Sequence, residues 1–235
     1  MEGVKYLPHQ VRWLGHASFA ISTAAGKTVL IDPWLTGNPS CPVVAAELKG
    51  PDAILVTHDH GDHLGTDIPT LVKGEGTIVA VQPEVATVLK RSGVEDRNIV
   101  NMNIGGTVAI GDLKVTMTQA AHSAAAGSPC GFVLTLEDGK TIYHAGDTGL
   151  FESMTLVGEI YHLDLALLPI GSVFTMDPLQ AAVALTLLRP AKVIPMHYGT
   201  FPTLVPAADG FVRLAREKAP GVEVVVLRPG GSLSL

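Results

Sequence analysis

The feature that most constrains this chain is a cluster of ionisable side chains in residues 57–65, THDHGDHLG. It supplies four candidate metal ligands: His58, His60, Asp62 and His63. The preceding residues 53–56 form an apolar run that predicts a buried strand ending at the cluster. Gly61 allows the sharp turn that would bring the four side chains together. A solvated, histidine-rich turn is the alternative, but imidazole and carboxylate at this density favour a site for zinc, manganese or iron.

Length, composition and charge limit what surrounds this cluster. The 235 residues are 47% hydrophobic, which suits one full-sized core, so we expect a single domain over residues 1–235. No window reaches about 18 uninterrupted apolar residues, which argues against a membrane span. The net charge of −6, with no run of lysines or arginines, argues against a nucleic-acid surface. A small-molecule substrate is the simpler expectation.

The first residues and the cysteines indicate a cellular compartment. Residues 1–8 lack the basic start and long apolar centre of a secretory signal. Cys41 and Cys130 are far apart in sequence and do not suggest a disulfide framework. We expect both to be small buried hydrophobic residues, and we expect the protein to be in the reducing cytoplasm.

The chain opens with a predicted antiparallel meander. Strands are expected over 11–15, 18–22 and 28–31, with the tight connections that are typical of antiparallel pairing. His16 and Asp32 lie where these strands break. His16 is either a hydrogen-bonded core histidine or part of the site. Asp32 is either a plain Asp-Pro turn or the acceptor that orients a ligand imidazole.

Helices and strands alternate after the cluster. We predict a short helix over 67–73 closed by Gly74, a strand over 77–81 and a helix over 83–91. This alternation predicts parallel strands in the middle of the sheet.

The second half of the chain repeats this order. Its predicted strands cover 107–110, 113–119, 131–136, 141–144, 165–168, 192–195 and 222–227, and its predicted helices cover 151–161, 178–188 and 207–218. The pair Asp138-Gly139 indicates a two-residue hairpin, and Asp177 before Pro178 indicates a helix start. We therefore predict two similar mixed sheets with helices outside, packed sheet against sheet.

Three more polar residues stand where predicted strands have just ended: His122, Asp147 and His197. Sites in layered α/β folds gather beyond the carboxyl ends of strands, so these residues could meet the cluster. Taken singly, each is more often a structural residue. His144 is expected to be structural, because it lies within a strand. His9 and His162 have no supporting neighbours and are expected to be surface or core residues.

Several motifs carry a resemblance to a known family. The stretch from His58 to His63 resembles the His-x-His-x-Asp-His signature of the metallo-β-lactamase superfamily. Residues 14–19, 31–39 and 195–198 look like its subgroup of compact metal-dependent hydrolases, which is similar to the lactonase that opens ascorbate phosphate. The resemblance covers nearly the whole chain, and it implies an αβ/βα four-layer sandwich of two mixed β-sheets with helices on the outer faces.

The same resemblance implies a ligand set for two divalent ions, with Zn²⁺ the first choice and Mn²⁺ or iron the others. Carried onto this chain, the family pattern puts His58, His60 and His122 around one metal. It puts Asp62, His63 and His197 around the second. Asp147 would bridge both metals.

Two such cations can share a water and lower its pKa from near 16 towards about 7, which gives a hydroxide nucleophile at neutral pH. The expected reaction is hydrolysis of a small ester, lactone or phosphodiester. Asp62 and Asp147 are expected to orient the water or accept its proton. His16 and Tyr198 are candidates for holding the substrate or protonating its leaving group. No serine nucleophile elbow occurs in the sequence, so a covalent acyl route is not expected.

Other functions remain open on the sequence alone. A mononuclear non-haem iron oxygenase is one alternative, because histidines and a carboxylate also suit iron. Superfamily members that reduce oxygen with two irons carry a glutamate where this chain has His60, so that variant is disfavoured. A protein that binds metal without catalysis is a third alternative, but it predicts a gap among the ligands, and the sequence has none. Two loops, residues 172–176 and 199–204, are expected either to form an apolar wall of the pocket or to be ordinary loops. Self-association of the chain is a further expectation.

Overall fold

The computed structural model describes residues 8–48, 50–72 and 76–235. Its strands are β1 Gln10–Trp13, β2 Phe19–Ser22, β3 Thr28–Ile31, β4 Ala53–Leu55, β5 Ile78–Val81, β6 Ile99–Asn101, β7 Thr107–Ile110, β8 Leu113–Gln119, β9 Cys130–Thr135, β10 Thr141–His144, β11 Leu165–Pro169, β12 Lys192–Met196, β13 Glu223–Val224 and β14 Ser232–Ser234. Its α-helices are α1 Gly61–Leu64, α2 Ile68–Leu71, α3 Pro83–Arg91, α4 Met154–Tyr161, α5 Pro178–Leu188 and α6 Asp209–Lys218. Two 3₁₀ turns, Ala45–Leu48 and Asp96–Asn98, complete the elements of the described ranges.

The strands form two sheets of the same design. The first has the order β14-β1-β2-β3-β4-β5-β6 and the second the order β13-β12-β11-β10-β9-β8-β7. In each sheet, strands close in sequence first pair antiparallel, and the later strands pair parallel with helices between them. The predicted meander followed by helix and strand alternation is therefore confirmed in both halves. The parallel strands run from the middle of each sheet to one edge.

Three apolar cores hold the layers together. The central core lies between the sheets, where Phe19 and Leu55 of the first sheet and Phe132 of the second are fully buried together. A second core packs α4, α5 and α6 on the outer face of the second sheet, and a third packs α2 and α3 on the outer face of the first. Burial of this apolar surface is the main term that stabilises the layers. The predicted four-layer αβ/βα sandwich is confirmed.

Two strands lie outside the predicted set. β6 continues the parallel part of the first sheet, and β14 adds to the first sheet by pairing antiparallel with β1. Both are only three residues long and carry little hydrophobic periodicity. The strand predicted over 222–227 is shortened to the two residues of β13. Short edge strands are recognised by their partners rather than by their own sequence.

The hairpin between β9 and β10 differs from its prediction. The backbone N–H of Leu136 donates to the carbonyl of Lys140 at 2.8 Å, so the loop holds three residues, Glu137, Asp138 and Gly139. Gly139 has φ +91°. An Asp-Gly pair also suits a turn followed by a left-handed glycine, and that longer loop is the one adopted here. The two-residue prediction was wrong.

The helix predicted over 67–73 is shorter in the structure. α2 has four residues, and Lys73 and Gly74 lie outside the described residues. Asp67 does not cap α2, because its carboxylate accepts the backbone N–H groups of Leu35 and Thr36. The helices predicted over 151–161 and 207–218 begin later, at Met154 and Asp209. Among the helices of the described ranges, none has the length and apolar character needed to cross a membrane.

The helix start predicted at Asp177 is confirmed, and it yields a stability prediction. The Asp177 carboxylate accepts the backbone N–H of Gln180 at 2.7 Å, and the Gln180 side chain accepts the backbone N–H of Asp177 in return. Replacing Asp177 with alanine should lower the free energy of unfolding by about 1 kcal/mol, because a helix N-terminal N–H loses its partner. Urea unfolding would measure the loss. Asp209→Ala in the first turn of α6 is the control and should cost less, and equal losses would contradict the capping role.

Candidate metal centre

The candidate ligands sit where strands end. His58 follows β4, and α1 carries Asp62 and His63 immediately afterwards. His122, Asp147 and His197 follow β8, β10 and β12 of the second sheet. His197 adopts a left-handed backbone conformation, with φ +59°. Each sheet therefore brings its candidate ligands to the same end of the sandwich.

Asp147 lies at the centre of these side chains. Its Oδ1 is 3.2 Å from Nε2 of His63, and its Oδ2 is 3.0 Å from Nε2 of His197 and 3.6 Å from Nε2 of His122. Asp147 and His63 are almost completely buried. Side chains spread from position 58 to position 197 thus meet at one buried carboxylate.

The structure brings all seven predicted ligand residues together in three overlapping groups. Within each group, one ligand atom per residue lies within 4.8 Å of the others. The groups are His58, His60 and His122; His58, His63 and Asp147; and His16, Asp62, His63 and His197. The two residues shared between groups are His58 and His63, so the groups form one continuous cluster rather than separate sites.

The donor atoms of this cluster fit a cation. Among the described residues, Nε2 of His58, His63, His122 and His197 and Oδ1 of Asp147 are buried and make no hydrogen bond of acceptable geometry, although Asp147 lies 3.0–3.6 Å from three of these nitrogens. A buried polar atom without a partner costs about 1–3 kcal/mol, so five in one place are unfavourable unless something else binds them. Imidazole nitrogen and carboxylate oxygen are the donors that zinc and similar divalent ions take in proteins. The residues therefore fit divalent metal ions.

A hydrogen-bond network behind the cluster orients two of its imidazoles. The Asp32 carboxylate is 2.8 Å from Nδ1 of His63, and it also accepts the backbone N–H and the hydroxyl of Thr57. Because the Thr57 hydroxyl donates to Asp32, its oxygen accepts from Nδ1 of His58 at 3.0 Å. Both histidines therefore carry a proton on Nδ1 and turn a free Nε2 toward the cluster. Of the two expectations for Asp32, the orienting acceptor is the one observed.

Burial and mutual charge shift the pKa values of these groups in opposite directions. Burial lowers the pKa of His58 to about 3. Burial also acts to lower the pKa of His63, but the carboxylates of Asp147 and Asp32 outweigh it and raise that pKa well above the usual value. Burial would raise the pKa of Asp147, but His63 and His197 hold it well below its usual range. A metal ion would therefore compete with a proton on His63, since ligating imidazole is neutral.

His16 is buried and also part of this cluster. Its Nε2 is 3.2 Å from Oδ2 of Asp62 and its Nδ1 is 3.0 Å from the Thr200 hydroxyl. Burial lowers the pKa of His16 to about 4, against the opposing effect of its bond to Asp62. Burial acts to raise the pKa of Asp62, but the bond to His16 together with the nearby charges of His63 and His16 outweighs it, and the net shift is downward. His16 is therefore neutral at pH 7, with its proton on Nε2, because a carboxylate only accepts.

The surroundings of the cluster are partly aromatic. Phe201 lies 5.4 Å from the His16 ring and stacks on Trp34 at 5.9 Å between ring centroids. This agrees with the expectation that 199–204 contributes to an apolar wall. In the 172–176 segment, Val173 and Phe174 are more than half exposed. Tyr198 stacks on Trp13 at 5.4 Å, so its ring packs beside β1.

Three residues that contribute to the geometry of the site were not predicted from the sequence. Thr57 and Thr200 hold histidine rings, and nothing separates them in sequence from ordinary loop threonines. Gly171 lies so close to His197 that a Cβ atom there would clash with its carbonyl oxygen and stand 2.9 Å from its Nδ1. A glycine two residues after the buried apolar strand β11 was the signal that could have found it.

Comparison with known proteins places the chain in a family. The family model described as the β-lactamase superfamily domain matches residues 27–198. A protein of Caldivirga maquilingensis named UPF0173 metal-dependent hydrolase is 46% identical to this chain over 226 residues. That match covers 96% of this chain and 97% of that protein. The chain belongs to the metallo-β-lactamase superfamily. A solved structure, that of the metallo hydrolase Igni18 of Ignicoccus hospitalis, is 34% identical, with a TM-score of 0.87, and the match covers 97% of this chain and 99% of that one.

A more distant structure shares the fold alone. The diiron β-hydroxylase CmlA of Streptomyces venezuelae is 19% identical, with a TM-score of 0.76. The match covers 97% of this chain and 54% of that longer one. The same fold therefore occurs in proteins that are named for different reactions, hydrolysis and hydroxylation. The function of this chain must be argued from its own side chains.

The unpartnered nitrogens predict that divalent metal stabilises the fold. Zinc at about 100 times its dissociation constant should raise the free energy of unfolding by about 2.7 kcal/mol, because it binds the folded chain and not the unfolded one. Thermal unfolding with zinc and with a chelator would measure the shift. The shift should shrink in His122→Ala and persist in the control His162→Ala. An identical midpoint with and without zinc would contradict this account of the cluster.

Proposed function

We propose that this protein is a metal-dependent hydrolase that uses two divalent ions to cleave a small ester, lactone or phosphodiester. The observation that carries the proposal is the set of unpartnered Nε2 atoms gathered around the buried carboxylate of Asp147. The names of its relatives, metal-dependent hydrolase and metallo hydrolase, support the same class of reaction. When bound, a pair of such ions lowers the pKa of a shared water towards about 7 and polarises the carbonyl or phosphoryl oxygen under attack.

The proposed ligand set follows the groups of neighbouring donor atoms. His58, His60 and His122 would hold one ion. Asp62, His63 and His197 would hold the second, and Asp147 would serve both. Zn²⁺ is the first choice for this nitrogen-rich set, and Mn²⁺ or iron also accept these donors.

Two carboxylates are the proposed proton-handling groups. Asp147 is buried and kept ionised by its histidine neighbours, so one of its oxygens can accept a hydrogen bond from the attacking water. Asp62 is kept ionised by His16 and His63 acting together against burial. His16 donates to its Oδ2 and leaves Oδ1 available. His16 would thereby hold Asp62 in place, and its own Nδ1 is held by Thr200. These groups orient water and move its proton, and they form no bond to the substrate.

The proposed substrate is a small molecule, in keeping with the acidic net charge of −6. The single domain over 1–235, the cytoplasmic location and self-association stay predictions. A non-haem iron oxygenase is the alternative that the same donor types allow. Elemental analysis of the purified protein separates the two, because two zinc ions per chain support hydrolysis and a single iron with oxygen consumption supports the oxygenase.

Removing one ligand should abolish the proposed reaction. In His60→Ala, we expect fewer bound metal ions and hydrolysis slower by about 10²-fold or more, the scale at which losing an electrostatic stabiliser acts. A screen of lactones, esters and phosphodiesters with the wild-type protein supplies the assay. His162→Ala, a histidine at the end of α4, is the matched control and should keep full activity. Undiminished turnover in His60→Ala would rule out the two-ion mechanism.

The orienting carboxylate gives a second test. Asp32→Asn keeps the shape of the side chain but weakens the acceptor for Nδ1 of His63, so zinc affinity should fall about 10- to 100-fold. Competition with a coloured chelator measures the affinity. Asp67→Asn is the control, because Asp67 is a buried carboxylate that accepts backbone N–H groups from Leu35 and Thr36. Equal affinity losses in the two variants would contradict the role of Asp32.

A further inference from the structure

His144 is a fully buried histidine that the proposed reaction leaves without a role. It is the last residue of β10 and lies three positions before Asp147. Its ring packs edge-on against Phe19 of the first sheet, at 5.7 Å between ring centroids. A buried imidazole is costly unless both nitrogens are satisfied, so its partners show what it does.

Both ring nitrogens of His144 have a partner of fixed character. Nε2 is 2.9 Å from the carbonyl oxygen of Ala17, which only accepts. The backbone N–H of Gly146, which only donates, points at Nδ1 at 3.1 Å. The ring is therefore neutral, with its single proton on Nε2 and a lone pair on Nδ1. Burial lowers the pKa of His144, in agreement with the neutral form.

These two bonds join the two halves of the candidate metal centre. Ala17 lies in the turn between β1 and β2 of the first sheet and directly follows His16, whereas Gly146 lies in the loop after β10 of the second sheet and directly precedes Asp147. The turn at Gly146 is tight, because its φ is +62° and a Cβ there would clash with the carbonyl of Cys130. The ring of His144 thus connects a turn that carries His16 to a turn that carries Asp147.

We propose that His144 is a positioning residue: by accepting the Gly146 N–H while anchored to the Ala17 carbonyl, it fixes the turn that aims the Asp147 carboxylate at His63, His122 and His197. This inference rests on the proposed function, since Asp147 matters only if it serves the metal centre. The Gly146 bond sets the direction of Asp147, and the Ala17 bond sets the tautomer and position of the ring.

Three substitutions separate the two bonds. His144→Asn places an oxygen near the position of Nδ1 and keeps an acceptor for Gly146, but it is too short to reach Ala17. His144→Gln reaches toward Ala17 with its amide nitrogen and lacks the acceptor near Gly146. His144→Phe removes both bonds and keeps an aromatic ring of similar shape. Tyr143→Phe is the control, since Tyr143 is a buried ring on the opposite face of β10, among the residues that pack against the outer helices.

The expected results are a ranking in zinc affinity. His144→Phe and His144→Gln should bind zinc about 10- to 100-fold more weakly, the scale for losing a group that orients a ligand, whereas His144→Asn should keep most of the affinity. With zinc saturating, kcat should fall in the same order and KM should stay unchanged. Tyr143→Phe should match the wild type. Wild-type affinity in His144→Phe, or equal affinity in His144→Asn and His144→Gln, would overturn the proposal.

A merely structural role predicts a different pattern. In that case zinc affinity in the three variants would follow their free energies of unfolding, which urea titration of the metal-free proteins measures, and that outcome would also overturn the proposal. The positioning role requires His144→Asn to exceed His144→Gln in zinc affinity even when the two are equally stable.

Two measurements on metal-free protein keep this test separate from the proposed function. Nitrogen NMR of the His144 ring should report a neutral imidazole with its proton on Nε2. The Gly146 amide should be protected from hydrogen exchange in the wild type and in His144→Asn. In His144→Gln it should lose that protection and exchange faster. If these hold but the wild type hydrolyses nothing, the proposed function fails alone; a proton on Nδ1, or a Gly146 amide unaffected by His144→Gln, overturns the positioning role itself.

Discussion

One buried carboxylate holds the site together. Asp147 is 2% exposed, and an ionised carboxylate at such a position is stable only with close positive or donor groups around it. Its neighbours come from both sheets, with His63 from the first and His122 and His197 from the second. Because this carboxylate has partners from both sheets, the candidate metal centre is complete only when one sheet packs on the other.

Two backbone hydrogen bonds at the same end of the sandwich also connect the two sheets. The backbone N–H of His197 donates to the carbonyl of His16 at 3.0 Å, and that of Cys130 donates to the carbonyl of Thr57 at 3.1 Å. Both bonds cross from one sheet to the other beside a candidate ligand. They leave little freedom for the sheets to shift relative to each other, which is the condition for a pre-organised site.

The sequence predicted much of this arrangement and missed particular parts. The seven candidate ligands could be found because strand ends, histidine spacing and family resemblance point to the same positions. β14 could not, because a three-residue edge strand is defined by its pairing with a distant partner. Thr57 acts through its close contact with Asp32, and no local pattern distinguishes it from other threonines. Gly171 acts through its close approach to His197, and its place after a buried strand marks the glycine but not the partner. Local chemistry is visible in sequence, whereas contacts between remote segments depend on the completed fold.

The pairing of β14 with β1 bears on how the chain folds during synthesis. Gln10 and Ser234, which face each other in this pair, are 224 positions apart. The outer edge of β1 therefore has no partner strand until the residues between the two strands have been translated. An unpaired strand edge can pair with another chain and promote aggregation. The polar side chains of Gln10 and Arg12 on that edge make it a poorer template for such association until β14 arrives. Pairings between remote segments, such as this one, slow folding relative to chains built from local pairs.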